Sequence, residues 1–260
     1  MKSSSKIVHR ARGAFGEMLV LDDGPRRHLR VGGVEGVDQT VVERGRPGRL
    51  PTAYLRVATV GAALVPKLER VLLVGLGGGA YPRFLQRGFP GVIIDILEVD
   101  PVVVRLAHDY FGFREGRGLR VFEEDAADFI SDAAEDPAWR YDLILLDAYV
   151  GQKIPPSLAR QTFFRRVAAL LRKDGVVVAN IGLPERWQED RVLRRFAAAF
   201  PRGCFELEVP DEDNRIAIAS QPNLPGPCQM NSRLRRLDAR GDLSFELLPL
   251  ARHPRLWPPD

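Results

Sequence analysis

The chain is poor in cysteine, lysine and histidine, and it has no long apolar run. Its two cysteines, Cys204 and Cys228, lie far apart and form no CxxC pair, which argues against a disulfide framework and against a zinc centre. The four histidines, His9, His28, His108 and His253, have no HxxxH spacing, so no metal is expected. No apolar stretch approaches the roughly 18–20 residues that span a bilayer. Met1–Gly13 is basic without the apolar segment of a secretory signal. A soluble, cytoplasmic chain with no membrane partner is expected. Lysine occurs only five times, so 33 of the 38 basic residues are arginine. The arginines are scattered in ones and twos and set against 34 acids, for a net charge of +4. Without a stacking motif, they point to compositional bias rather than to a nucleic-acid partner.

The remainder is globular in composition: 260 residues, 45% hydrophobic and 28% charged, enough for one large domain or one domain with an extension. Residues 1–50 read as a small unit of short strands, Ile7–Arg10, Glu17–Leu21, His28–Val31 and Gln39–Glu43, punctuated by Asp22-Asp23-Gly24-Pro25 and Gly32-Gly33. So small a unit must pack on something larger. Residues 51–220 form the main unit. Pro51 opens an expected helix through Val65, and apolar runs then alternate with amphipathic stretches. The runs Val71–Val74, Val92–Leu97, Leu119–Phe122, Leu143–Leu146 and Val176–Ala179 read as strands buried on both faces of a parallel sheet. Helices are expected at Tyr81–Arg87, Val102–Tyr110, Ala126–Ala134 and Leu158–Leu171, giving an α/β fold. Glu185–Phe200 reads as a helix, and Cys204–Val209 with Arg215–Ala219 as a closing antiparallel pair. Residues 221–260 form a proline-rich extension with one expected helix, Met230–Ala239.

Val71–Ala80 is a strand running into the glycine loop Gly75-Leu76-Gly77-Gly78-Gly79, where backbone can approach a ligand closely at a helix N-terminus. Glu98 ends the next strand, 19 residues beyond Gly79, where a carboxylate accepts both hydrogen bonds of a ribose diol. Gly75-x-Gly77-x-x-Ala80 also fits a dinucleotide fingerprint. Two more acids weigh against NAD. Asp125 follows the third strand, placed for an adenine amino group, and Asp147 ends the fourth. Carboxylates at three successive strand ends suit a sulfonium cation and not a pyrophosphate. No positioned catalytic histidine for hydride transfer is evident either. An S-adenosyl nucleotide is therefore expected.

The block from Val71 to Ile181 resembles the spermidine synthase (polyamine aminopropyltransferase) family, which is built on the class I methyltransferase fold. The resemblance rests on Gly77–Gly79, Leu97-Glu98-Val99-Asp100, Glu124-Asp125-Ala126, Tyr141–Asp147 and Leu171-Arg172-Lys173-Asp174-Gly175, and extends to Leu21–Gly24 and Gln39-Thr40. It implies a Rossmann-like, mostly parallel sheet with an antiparallel closing strand, a small N-terminal β domain and a homodimer formed through that domain. It also implies cofactor contacts from Gln39, Gly75, Gly77, Gly78, Gly79, Glu98, Val99, Asp125, Ala126 and Asp147.

Departures from the family pattern fall where its substrates bind. The family's Gly-Gly-Gly-Asp-Gly, whose Asp holds the amine of decarboxylated S-adenosylmethionine, ends here in Ala80-Tyr81. Its Asp-x-x-Asp-Pro reads Asp147-Ala148-Tyr149-Val150-Gly151, and its Tyr-His pair reads Tyr54-Leu55. A dicationic diamine needs carboxylates to replace its water, and several are gone. These features resemble divergent bacterial spermidine-synthase-like proteins and eukaryotic methyltransferase-like proteins that modify protein targets. The expected activity is methyl or other alkyl transfer from S-adenosylmethionine to a small-molecule or protein amine or hydroxyl. Aminopropyl transfer from the decarboxylated cofactor and a non-catalytic nucleotide-binding homologue are the alternatives. Asp147 and Tyr149 are the catalytic candidates, Tyr54, Tyr81 and Tyr149 line the expected acceptor site, and Val150–Pro156 is a candidate lid.

Overall fold

In a computed structural model of the chain, residues 5–46, 48–182, 185–221, 224–241 and 243–257 are described. The first strands form a meander, β1 (Lys6–Gly13), β2 (Gly16–Asp23), β3 (Arg26–Val31) and β4 (Val37–Glu43), paired antiparallel in that order. Met18, Val20 and Leu29 supply its buried face, too little apolar surface to stand alone. The meander is pinned from its far end. The Ala14 amide between β1 and β2 donates to Asp100 Oδ2 at 2.7 Å, and Arg27 donates to the Tyr110 carbonyl at 2.7 Å.

The chain then enters α1 (Ala53–Leu64), in which nearly every side chain is buried. A helix that is apolar all round belongs inside, and Gly61 lets this one lie directly on Val178 of the sheet. The helix starts at Ala53 rather than at Pro51, which precedes the N-cap Thr52.

Next come β5 (Arg70–Val74), α2 (Ala80–Gly88), β6 (Ile93–Leu97), α3 (Pro101–Phe111), β7 (Leu119–Phe122), α4 (Ala126–Ala133), β8 (Tyr141–Leu146), α5 (Gln161–Ala169), β9 (Leu171–Ile181), α6 (Arg186–Ala197), β10 (Cys204–Glu208) and β11 (Arg215–Ser220). Helix α5 begins three residues later than its apolar pattern predicts, and Leu171 already belongs to β9. The tail adds α7 (Pro227–Asp238), a 3-10 turn at Leu248–Ala251 and β12 (Arg255–Trp257).

The larger sheet has the order β12-β10-β11-β9-β8-β5-β6-β7. Strands β5 to β9 are mutually parallel, and β10, β11 and β12 close one side antiparallel. This is the Rossmann-like class I methyltransferase arrangement with a separate N-terminal sheet. Strand order reverses between β5 and β8, and open α/β sheets bind ligands outside the carboxyl ends of strands at such a point. Strand β12 was not foreseen, since Arg255-Leu256-Trp257 is three residues long and sits among prolines. Cys204 and Cys228 are both free thiols, the first buried and the second exposed. Among the described residues, no helix is long and apolar enough to cross a membrane, and no group of side chains could hold a metal ion.

Candidate active site

A cavity of about 680 Å³ opens over the carboxyl ends of the parallel strands, between the larger sheet and β4. Its floor is the loop joining β5 to α2. Gly75 sits at φ 105°, where a side chain would be strained and would also strike the Asp147 carbonyl. Its amide donates to Leu97 O at 2.9 Å. Gly77, at φ 52°, passes against Thr40 of β4, and the Gly78 amide donates to Thr40 Oγ1 at 2.9 Å. Gly75 and Gly77 line the cavity, whereas Gly78 and Gly79 do not. A Cβ on Gly78 would meet the Phe111 ring at 2.7 Å. Gly79, at φ 68°, is the left-handed N-cap of α2 and abuts Phe113. These two glycines seat the loop on β4 and the end of α3.

Glu98 lies beside that loop with each carboxylate oxygen already accepting one amide, Leu76 at Oε2 and Asp100 at Oε1, both at 3.0 Å. Burial pushes its pKa up, while the amides pull the other way. Its partner Asp100 caps α3 through the Val102 amide at 2.9 Å. Asp125 likewise caps α4, taking the Ala127 amide on Oδ1 at 2.7 Å. Val99 and Ala126 line the cavity between these acids.

At the other end, Asp147 Oδ1 accepts from Asn180 Nδ2 at 2.8 Å and Oδ2 from the Tyr54 hydroxyl at 3.1 Å. Burial raises the Asp147 pKa against the pull of these two hydrogen bonds. Asn180 is itself held by Asn214 Nδ2 at 2.9 Å. Glu212, from the β10–β11 turn, caps α1 by accepting the Ala53 and Tyr54 amides at 2.8 and 3.0 Å. The Tyr149 hydroxyl donates to Asn180 O at 2.9 Å and accepts from the Gly182 amide at 2.6 Å. Gln39 Nε2 donates to Gly151 O at 3.2 Å, which ties the candidate lid segment to β4. The Tyr81 hydroxyl is buried against Thr59, and Thr52 Oγ1 is buried with no hydrogen-bond partner among the described residues.

The structure thus brings Gln39, Tyr54, Gly75, Gly77, Tyr81, Glu98, Val99, Asp125, Ala126, Asp147 and Tyr149 to one cavity. Sequence reading missed Thr40, Asn180, Glu212 and Asn214. Asn180 carries the same signal that revealed Asp147, a polar residue at the carboxyl end of a buried strand. Among the described residues, acids line this cavity and no lysine, arginine or histidine does. Such a lining favours cationic ligands and disfavours a diphosphate.

No protein-family model matches the chain. It is 31% identical over 226 residues to the polyamine aminopropyltransferase of Vibrio vulnificus, covering 85% of this chain and 74% of that protein. The chain belongs to the polyamine aminopropyltransferase family. It is also 34% identical over 152 residues to the mouse eEF1A lysine and N-terminal methyltransferase, 56% of this chain but only 22% of that much longer protein. A crystal structure of human methyltransferase-like protein 13 in complex with SAH is 27% identical, with a TM-score of 0.63 over 71% of this chain and 91% of that one. The family fold therefore extends here to a protein named as a methyltransferase.

Proposed function

We propose that the cavity binds S-adenosylmethionine and that the protein transfers its methyl group to an amine, on a small molecule or a protein. The carrying observation is the lining: acids from the ends of β6, β7 and β8 with no basic side chain among the described residues, and apolar Leu55 and Ala80 in the same cavity wall. A sulfonium and an approaching amine both gain from such a field. The similarity to proteins named as methyltransferases supports the same reading.

In this reading Glu98 holds the ribose diol, Asp125 meets the adenine amino group with its free oxygen, and Val99 and Ala126 flank the base. Gly75 and Gly77 admit the nucleoside, and Gln39 borders the sulfonium side. The sulfonium carbon is already electrophilic, so the protein supplies alignment and a proton acceptor. The amine lone pair forms the new N–C bond as the S–C bond breaks and its electrons return to sulfur. Asp147 orients the amine and takes its proton. Tyr54 and Asn180 hold Asp147 in place. Tyr149, with its hydroxyl committed to Asn180 and Gly182, is a positioning residue rather than the catalytic one expected from sequence.

The retained Asp147 and the Vibrio relative favour a second reading, aminopropyl transfer from decarboxylated S-adenosylmethionine. Incubation with donor labelled in the methyl group, or with decarboxylated donor labelled in the aminopropyl chain, separates the two. The acceptor panel should hold diamines, monoamines and lysine peptides. Methyl transfer that is lost in Asp147→Asn is the expected result. Label moving only from the decarboxylated donor to a diamine would replace it with aminopropyl transfer, and binding without transfer of either label would leave a nucleotide-binding homologue. We propose the units 1–50, 51–220 and 221–260 as the working division. We also propose a homodimer through β1, an edge strand exposing Ile7 and Val8, which light scattering tests directly.

A further inference from the structure

Asn180, the penultimate residue of β9, is 6% exposed and stands between two side chains. Its Nδ2 donates to Asp147 Oδ1 at 2.8 Å, and its Oδ1 accepts from Asn214 Nδ2 at 2.9 Å. Asn214 immediately precedes β11, whose first two residues pair with Ile181 and Asn180. It fits there because Gly182 has no side chain, since a Cβ on Gly182 would lie 2.7 Å from Asn214 Nδ2. The Tyr149 hydroxyl clamps the same stretch of backbone, donating to Asn180 O and accepting from the Gly182 amide. The other Asp147 oxygen, Oδ2, meets the Tyr54 hydroxyl at 3.1 Å.

A primary amide has a donor end and an acceptor end, and either can face a neighbour. With Asn214 holding Asn180 Oδ1, a turned-over Asn180 would set two N–H groups against each other. Nδ2 therefore stays on Asp147. That orientation suits a carboxylate and opposes a proton on Oδ1, which would point at an amide hydrogen. Oδ2 is different, because a hydroxyl both gives and receives hydrogen bonds. The Tyr54 hydroxyl donates to an ionised Oδ2 and, after rotating, accepts from a protonated one. Burial and the nearby Asp147 charge hold the Tyr54 phenol well above its ordinary pKa, so it stays neutral while Asp147 titrates.

We propose that Asn214 is a positioning residue for proton transfer: by fixing the Asn180 amide it reserves Asp147 Oδ1 as a standing acceptor and leaves Oδ2 to take the acceptor amine's proton. The inference rests on the transferase reading above and names the residue and the oxygen that set its base. The titratable groups facing Asp147 are Tyr54 from α1, Tyr81 from α2 and Tyr149 from its own loop, with Glu212 of the β10–β11 turn beside Tyr54. Burial raises all three phenols, so none is charged near neutral pH. Glu212 is committed to the first amides of α1. The asparagine pair is thus what distinguishes one Asp147 oxygen from the other.

The test follows the Asp147 carboxyl itself by carbon-13 NMR of the full chain labelled at its aspartate carboxyls, with Asp147→Asn identifying the resonance. This readout needs no turnover. Asn214→Leu removes the amide without adding charge and should raise the Asp147 midpoint by about one pH unit, the effect of a hydrogen bond to a charged group. Asn214→Ala gives the same reading should leucine not fit beside Gly182. Asn180→Ala should raise the midpoint likewise, and adding Asn214→Leu to it should shift the midpoint no further, because Asn214 acts through Asn180. In the transfer assay the acid limb of kcat/KM should move up with the midpoint. A midpoint unmoved by both Asn214 variants, or a further shift in the double variant, would overturn the inference and leave the transferase reading standing. The predicted shifts in a chain that transfers no group would remove the transferase reading and the proton-transfer role together.

Discussion

Asp147 ends a strand whose six residues are all buried, and its position alone marked it in the sequence. What the strand pattern does not carry is how the carboxylate is held, by Tyr54 from α1 and Asn180 from β9. Burial raises its pKa above the usual 3.8, with a definite consequence for pH. The folded state takes up the proton at higher pH than the unfolded chain does. The cost of the buried charge is therefore present at neutral pH and is relieved as pH falls through the folded-state pKa. Activity runs the opposite way, since the ionised form accepts the proton. The acid limb of kcat/KM should lie above the range of an ordinary aspartate. In Asp147→Asn turnover should drop by about 100-fold or more, the residual rate should lose that acid limb, and neutral-pH stability should be equal or higher. A wild-type limb at the ordinary carboxylate value would contradict the argument. Glu98 gives a separate prediction. Each of its oxygens braces one amide, so Glu98→Ala should weaken S-adenosylhomocysteine by about tenfold or more, read by titration, with a modest fall in Tm.

A strand, a glycine turn, a helix and a second strand ending in an acid are contiguous in the chain, which is why the β5–α2–β6 unit was legible without coordinates. The partners that fix the unit come from far away: Thr40 lies 38 positions from Gly78, and Glu212 lies 159 positions from Ala53. No local period encodes such contacts, so Thr40 and Glu212 were invisible, and so was the packing of Gly78 on Phe111 and of Gly79 on Phe113. Two substitutions test this account. Thr40→Val keeps the shape but strands the Gly78 amide, and should cost about 1–3 kcal/mol of stability. Gly78→Ala should cost a similar 1–3 kcal/mol, about what overpacking a core costs, because Cβ presses on Phe111 and on Thr40 Cγ2 at 2.9 Å. Denaturant melts read both effects. Equal stability in both variants would mean that β4 does not brace the loop.

Two sheets meet over one cavity, and a separate cluster of buried charges lies away from it. Arg215 of β11, 1% exposed, is paired with Glu206 of β10 and with Glu189 and Asp190 of α6. Strand β12 covers this network from the sheet edge. It pairs with β10 at Cys204, Phe205 and Glu206, places Arg255 against Glu206 at 3.5 Å and buries Trp257 over the guanidinium of Arg215. The parallel strands were readable because each is a continuous apolar run. This edge was not, because its last strand is held by one tryptophan and two arginine contacts rather than by a pattern. Strand order also separates the edge from the cavity, with β10 and β11 standing between β12 and β9. A chain ending at Pro254 should therefore lose the burial of one large aromatic, about 3–5 kcal/mol by comparison with core Trp truncations, and expose a free edge on β10. The expected result is a Tm lower by several degrees, roughly 2–4 °C per kcal/mol at this size, and a greater tendency to aggregate on heating. Affinity for S-adenosylhomocysteine at 25 °C should be unchanged. A matching loss of affinity would mean that the closing strands govern the site as well as the fold, and an unchanged Tm would mean that β12 is a bystander.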